Sequence, residues 1–536
     1  MRLQRSLTQT LAALVSLVAC GAAAGGTLSV PESYPSIQLA LQAAVAGDTV
    51  EVAAGVYAEP MQVTPHGPSM LVLPGGVLLR SVGGSEETTL DATSAGRVLY
   101  FADLEDEAGV EGFTIRNGVA TGSALYEDHG GGAFCYHATV RLRECVFQSN
   151  RAVIGGGMAC DHPSIVSLDR CRFVANSADG EGGGFGFAGS SGAQFTDCVF
   201  ESNSAGSGGG VSCWVATATF ERCEFVFNEA SIAGGAVDCD LGAPNFVETL
   251  FRGNRAPVGS GAFNHNNGLL SISGCTFWGN EAGVSSSGTI ACASALAFVD
   301  HTIVAEDRGG SAVSCEDPSG GATLECCDLH GSAGGNWIGC IADQAGANGN
   351  IEAAPLFCNP FQGDFGLAAN SPCAAENDPG CGQIGAFAVE CASVGIDGPD
   401  PSLALPITIS PNPVRDVLHL RMSATIGEVR SILVLDVSGR RIATLSTSAA
   451  GRARSSTTAD AVARFGRSAT KPKDRGADRG AESRVPEVAV DGEVAVDRGD
   501  AWTWSGSVGR SLPSGVYFVE VRTATGRHVR PFVLAH

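Results

Sequence analysis

Residues Gly155 to Ala178 read GGGMACDHPSIVSLDRCRFVANSA. Apolar side chains alternate at Val166 and Leu168 and again at Cys171 and Phe173, in a run that begins on three glycines and closes on Asn176. Period-two alternation over so few residues specifies short strands with one buried face, and no helical period fits it. The phrase recurs as ECVFQSNRA at 144, RCRFVANSA at 170, DCVFESNSA at 197, RCEFVFNEA at 222, ETLFRGNRA at 248 and GCTFWGNEA at 274. Its phenylalanines, Phe147, Phe173, Phe200, Phe225, Phe251 and Phe277, step by 25 to 27 residues. Between them a glycine phrase returns: GGGAFC at 130, GGGMAC at 155, GGGFGF at 182, GGGVSC at 208, GGAVDC at 234 and GSGAFN at 259. A unit of this length holds three strands and three corners, one coil of a parallel solenoid. Glycine permits positive φ at the corners. Asn150, Asn176, Asn203, Asn228, Asn254 and Asn280, three residues after each phenylalanine, suit a left-handed turn position and should stack as a ladder.

Composition agrees with a repeat and narrows function. Of 536 residues 72 are Gly and 19 Cys, 17% are charged and 44% apolar, and the formal net charge is −23. So much apolar surface supports a core, and glycine without a G-X-Y period is not collagen. A nucleic-acid role is disfavoured, because phosphate binding needs clustered Lys and Arg, and the lysines are Lys471 and Lys473 alone.

The GGAV phrase and the FQSN, FVAN, FESN, FVFN, FRGN and FWGN set resemble the repeats of chlamydial polymorphic outer-membrane proteins, and the chain resembles right-handed parallel β-helix, pectate-lyase-like secreted proteins. The likeness is dense from 129 to 301 and looser across 27–392, and the membrane barrel of the chlamydial proteins has no counterpart. It implies a right-handed β-helix: a cap over 27–60, with a helix pattern from Ser36 to Ala46 and a strand from Asp48 to Val52, then clear repeats over 129–301 and closing turns over 326–391. Residues 1–26, with two arginines, an apolar run from Leu11 to Ala19 and small residues after it, read as a secretory signal. Leu17 to Cys20 also resembles a lipobox, in which Cys20 would carry lipid; ordinary cleavage is favoured. No later run is long and apolar enough to span a membrane.

After a Pro/Gly linker at 393–406, the texture changes to alternating strands that suggest a small β-sandwich over 407–536. Pro411-Asn412-Pro413, Leu435-Asp436 with Ser438-Gly439, and Ser514-Gly515-Val516-Tyr517 resemble C-terminal type IX secretion sorting domains and the FlgD-like Ig-fold module. That resemblance implies recognition by outer-membrane secretion machinery. A polar insertion at 446–500 interrupts it and reads as disordered. The fold class is therefore all-β, a right-handed parallel β-helix solenoid followed by a small Ig-like β-sandwich.

Export permits disulfides. Two columns hold most of the repeat cysteines, and between neighbouring coils Cys135/Cys160, Cys145/Cys171, Cys198/Cys223, Cys213/Cys239 and Cys292/Cys315 are adjacent. A coil spacing of ~4.8 Å admits a bridge. Reduced ladders of buried thiols are the equal alternative. Cys373 and Cys381, in a Gly/Pro-rich loop, read more strongly as bridged.

If Val211 and Cys213 point inward, Ser212 and Trp214 point outward. The same parity gives an outward stripe of Phe134, Tyr136, Asp161, Trp214, Asp238, Asp240, Phe263, His265 and Glu316. Aromatic rings beside carboxylates suit sugars, so Tyr136, Asp161, Trp214, Asp240 and His265 are the ligand-binding candidates. No catalytic constellation matches the polygalacturonase or lyase motifs of the resembling families. Asp238 and Asp240 are the best acid pair, and Ca²⁺ the cation they would take; no metal or cofactor is otherwise expected. Three readings follow: a secreted or cell-surface scaffold that binds a polysaccharide or surface glycan without catalysis, a polysaccharide lyase or glycoside hydrolase, or a structural spacer.

Overall fold

The computed structural model describes residues 25–393, apart from 190, 284–287, 316–319 and 379, and beyond them eight strands between Ile407 and Leu534. Because 1–24 and 394–406 fall outside, so do most of the signal segment and most of the linker. The two compact units, up to Val394 and from Gly395, are described separately.

In the first unit the chain winds through about 14 turns of a parallel β-solenoid. Three long parallel sheets of 12, 11 and 10 strands run its length. In one coil these are Thr139–Arg143, Val146–Gln148 and Met158–Asp161. A fourth sheet of five strands, among them Arg151–Ile154 and Ser177–Glu181, fills the stretch between the FxxN and glycine phrases. The sequence pattern reads this stretch as a corner. Segments such as SADGE carry no buried alternation, and their pairing is made by backbone.

Coils stack in register, so each inward position becomes a column. Phe147, Phe173, Phe200, Phe225, Phe251 and Phe277 lie ring on ring, 4.3 to 5.0 Å apart and within 5° of parallel. Phe195, Phe220 and Phe246 form a second such stack. The asparagines form the expected ladder. Each Oδ1 accepts from the backbone N–H and the Nδ2 of the asparagine one coil earlier, at 3.0 Å, from Asn176 on Asn150 to Asn280 on Asn254. The left-handed residues are the ones before them, such as Ser149 (φ 55°) and Ala175 (φ 53°). Asparagine is required here for its buried amide, while the strained φ is left to its neighbour. The ladder closes on Asp307, whose Oδ1 accepts from the Asn280 N–H at 2.7 Å and its Nδ2 at 3.2 Å.

The glycine phrase is enforced by close approach. The first glycine has positive φ in the copies at 130, 155, 182, 208 and 234, 63° at Gly208, and a Cβ on Gly209 would lie 2.4 Å from the Gly235 carbonyl oxygen. At the start of the stack, the helix Ile37–Ala43 buries Ile37, Ala40 and Leu41. Ser36 caps it, and the Ile37 and Gln38 N–H groups donate to the Glu59 carboxylate. At the other end a small three-stranded sheet, Phe357–Asn359, Asp364–Ala368 and Val389–Cys391, lies within the closing turns.

Four disulfides are formed among the described residues: Cys213–Cys239, Cys315–Cys340, Cys326–Cys381 and Cys358–Cys391. They suit an oxidising environment. Cys213–Cys239 joins neighbouring coils with Cα atoms 4.6 Å apart. The other expected pairings differ. Cys135 and Cys160 are in register but stay thiols, as do Cys145, Cys171, Cys198 and Cys223. Their column is a reduced ladder, in which Cys198 donates to the Leu168 and Thr196 carbonyls and Cys223 to those of Phe195 and Glu221. Cys315 faces Cys292 in register yet bonds to Cys340 from the following turn, and Cys381 takes Cys326. Cys373 is a buried thiol, its Sγ 3.1 Å from Oδ2 of Asp328.

In the second unit, strands Ile407–Ser410, Val417–Ser423, Ala501–Ser507 and Gly492–Asp497 form one antiparallel sheet. Arg441–Leu445, Val429–Leu435, Gly515–Thr523 and Arg527–Leu534 form another. The strand Gly492–Asp497 falls inside the stretch 446–500 that reads as a disordered insertion; 446–491 lies outside the described residues. No helix is long and apolar enough to cross a membrane among the described residues.

Candidate functional site

The ten-stranded sheet presents two outward rows. Phe134, Ala159, Gly186, Ser212, Asp238 and Asn264 are in register, and beside them run Tyr136 and Asp161, then Trp214, Asp240 and Asn266. Small residues at Ala159, Gly186 and Ala188 leave a hollow between larger ones. The result is a groove of about 460 Å³, with Asp161 and His129 among its lining residues together with Trp214, Asp238 and Asp240, and with Ile154 and Glu181 supplied by the five-stranded sheet.

Its carboxylates are held by specific donors. Asn264 donates to Oδ1 of Asp238 at 2.6 Å, the Ser212 hydroxyl to Oε2 of Glu181 at 3.2 Å, and Asn267 to Oδ1 of Asp240 at 3.3 Å. Asp161 accepts from the His162 N–H at 2.6 Å and lies 3.8 Å from Nε2 of His129, whose Nδ1 is 2.8 Å from Asp128. Burial pushes the Asp238 carboxyl up to about 6, with Glu181 and Asp240 adding to the effect and Asn264 opposing it. A carboxyl in this range can hold or release a proton near neutral pH. Among the described residues no three His, Cys, Asp or Glu side chains converge as metal ligands.

The groove therefore brings together Asp161, Trp214, Asp238 and Asp240. Trp214 is half exposed at its edge, at 52%. Tyr136 stands one coil before Asp161, outside the groove, in a ring cluster with His66, Tyr126 and His162. Phe134 faces outward as read, but that cluster buries it completely. His265 is not on this face. It stacks in register between Cys239 and Cys292 in the interior, fully buried, and neither ring nitrogen has a hydrogen-bond partner. Burial pushes its pKa down to about 4, so the ring is neutral. Phe263 is interior too, in register with Val237. The cause is a one-residue slip: this copy of the glycine phrase begins at Ser260, not Gly259, so that Gly261 and Ala262 stack on Gly235 and Ala236, and a slip of one reverses every side chain. Glu316 lies outside the described residues.

Glu181 and His129 are groove residues that the outward-stripe reading leaves out. Each precedes a glycine phrase by one residue, as do Ile154 and Ser207. Strand parity carried backwards through the glycines would place these positions inward, since each lies five residues before the outward row of Phe134, Ala159 and Gly186; the glycine corner resets the parity, so their fixed place before the phrase is the only signal. His66 and Tyr126 reach the face from loops, and no periodicity marks them.

By class, then, the first unit is an all-β parallel β-helix with a carboxylate-lined groove on one outer sheet. No family model, curated protein or solved structure matches the chain.

Proposed function

We propose that this is a secreted or cell-surface β-helix that binds a glycan along the outer face of its ten-stranded sheet without cleaving it. The observation that carries the reading is the groove itself, where the Trp214 ring stands beside the carboxylates of Asp161, Asp238 and Asp240. A sugar ring offers an apolar face to stack and hydroxyls to donate, and this combination meets both needs. The disulfides support an exported location. Glycan-array binding by the wild type, lost in Trp214→Ala, is the expected result; an array without signal overturns the reading.

A second reading, glycosidic cleavage, is favoured by one observation: Asp238 combines burial with two neighbouring carboxylates. Reducing-sugar and unsaturated-uronate assays separate the two. Turnover abolished by Asp238→Asn would establish an enzyme, and binding without turnover a scaffold.

The C-terminal unit, with its Pro411-Asn412-Pro413 and Ser514-Gly515-Val516-Tyr517 phrases, is read as a sorting module of the type IX secretion, FlgD-like Ig class. Removing 407–536 and fractionating cells tests it: loss of surface delivery is expected, and unchanged delivery excludes the role.

A further inference from the structure

Next to the groove, on the first coils of the same sheet, stands a partly exposed cluster of tyrosine and histidine rings. The Tyr136 ring lies 4.7 Å from His66 at a tilt of 50° and 4.7 Å from His162, edge-on at 77°, and Tyr126 stands 5.5 Å from His66 and 5.8 Å from His162. Two tyrosine hydroxyls fix the imidazoles: Tyr100 Oη is 2.8 Å from Nδ1 of His66 and Tyr126 Oη 3.0 Å from Nε2 of His162. The loop carrying Tyr126 is pinned from beneath by Arg97, which is fully buried and donates to the carbonyls of His66, Tyr126, His129 and Gly130. Such support holds the rings in place before any ligand arrives.

Covering Phe134 would need only apolar contact. The cluster instead keeps Tyr126, Tyr136, His66 and His162 partly exposed. It is also continuous with the groove, since His129 lines the groove and stands 5.2 Å from Tyr126. We infer that the exposed surface of this ring cluster is a second sugar-ring subsite, and that the ligand is an oligosaccharide lying along the helix axis from Tyr136 to Trp214. The inference rests on the glycan reading above and adds to it the size and direction of the ligand. Tyr136 and Trp214 are three coils apart in the same outward row, about 14 Å at ~4.8 Å per coil, a span no single sugar covers. One ring stacks on tyrosine while its hydroxyls meet Nε2 of His66 and Nδ1 of His162, the imidazole atoms that the tyrosines leave unused.

Calorimetric titration with disaccharides and hexasaccharides of glucose and of galacturonic acid tests this on the full chain. Tyr136→Ala should weaken hexasaccharide binding roughly tenfold or more and leave the disaccharide unchanged, whereas Trp214→Ala weakens both. Tyr136→Phe, which keeps the stacking face, should bind the hexasaccharide as wild type does, and an unchanged melting temperature separates lost stacking from lost folding. Equal losses for short and long probes in Tyr136→Ala, or no loss at all, would overturn the subsite while leaving the groove standing. Binding of neither sugar series by the wild type sinks the groove and the subsite together.

Discussion

Two outer faces of one solenoid, built on the same backbone, carry different chemistry. On the 12-stranded sheet the outward positions hold Arg141 and Arg143, which pair with Glu107 at 3.0 Å and with Asp169 at 3.4 Å, all of them solvated. Such exposed pairs contribute little, a fraction of a kcal/mol each. On the ten-stranded sheet the outward positions hold aromatic rings and the half-buried carboxylates of Asp238 and Asp240, each held by an asparagine amide. The fold specifies both faces equally; only the second gathers groups that chemistry could use. Function in a solenoid is thus read from what a coil holds on its outside.

The contrast yields tests of descending size. Phe225→Ala opens a hole in the stacked column and should cost about 3 to 5 kcal/mol in denaturant unfolding. Asn228→Ala strands the Asn203 N–H and Nδ2, for a loss of roughly 2 to 4 kcal/mol. Breaking Cys213–Cys239 with Cys239→Ala should cost about 3 kcal/mol, given the 26-residue separation. Arg141→Ala, by contrast, should change stability by less than about 0.5 kcal/mol. A large loss there would break the distinction between the faces.

A pH series sharpens the same line. Burial pushes the Asp307 carboxyl up to about 7 from its ordinary 3.8, against the pull of Thr289 and Asn280. Its folded-state value is raised, so its contribution is complete below pH 3.8 and is lost as pH climbs towards 7. His265 works the other way: lowered to about 4 from 6.5, it gives full stability above pH 6.5 and loses it as pH falls towards 4. Asp307→Asn should remove the first slope and leave the second, as followed by melting temperature between pH 4 and 7.

The repeat made most of this architecture legible. Stacked phenylalanines, the asparagine ladder and the inward cysteines follow from period and parity, because each coil repeats the geometry of its neighbour. Legibility failed where a copy was irregular. At Ser260 one shifted residue hid the interior place of His265. Cys340 and Cys326 were missed as disulfide partners because they lie past the regular coils, where register no longer predicts neighbours. The groove was half visible: parity found Asp161, Trp214, Asp238 and Asp240, whereas His66 and Tyr126 arrive on loops of no fixed spacing.

The exchange of asparagine for aspartate at the end of the ladder sets a limit on growth. Every asparagine both receives and gives, accepting from the coil before and donating its own N–H and Nδ2 to the coil after. The Asp307 side chain receives from Asn280 but has no Nδ2 hydrogens to hand on. The row of side-chain amides is therefore one-way and terminated, and the number of laddered turns is recorded in the place where a nitrogen is replaced by an oxygen.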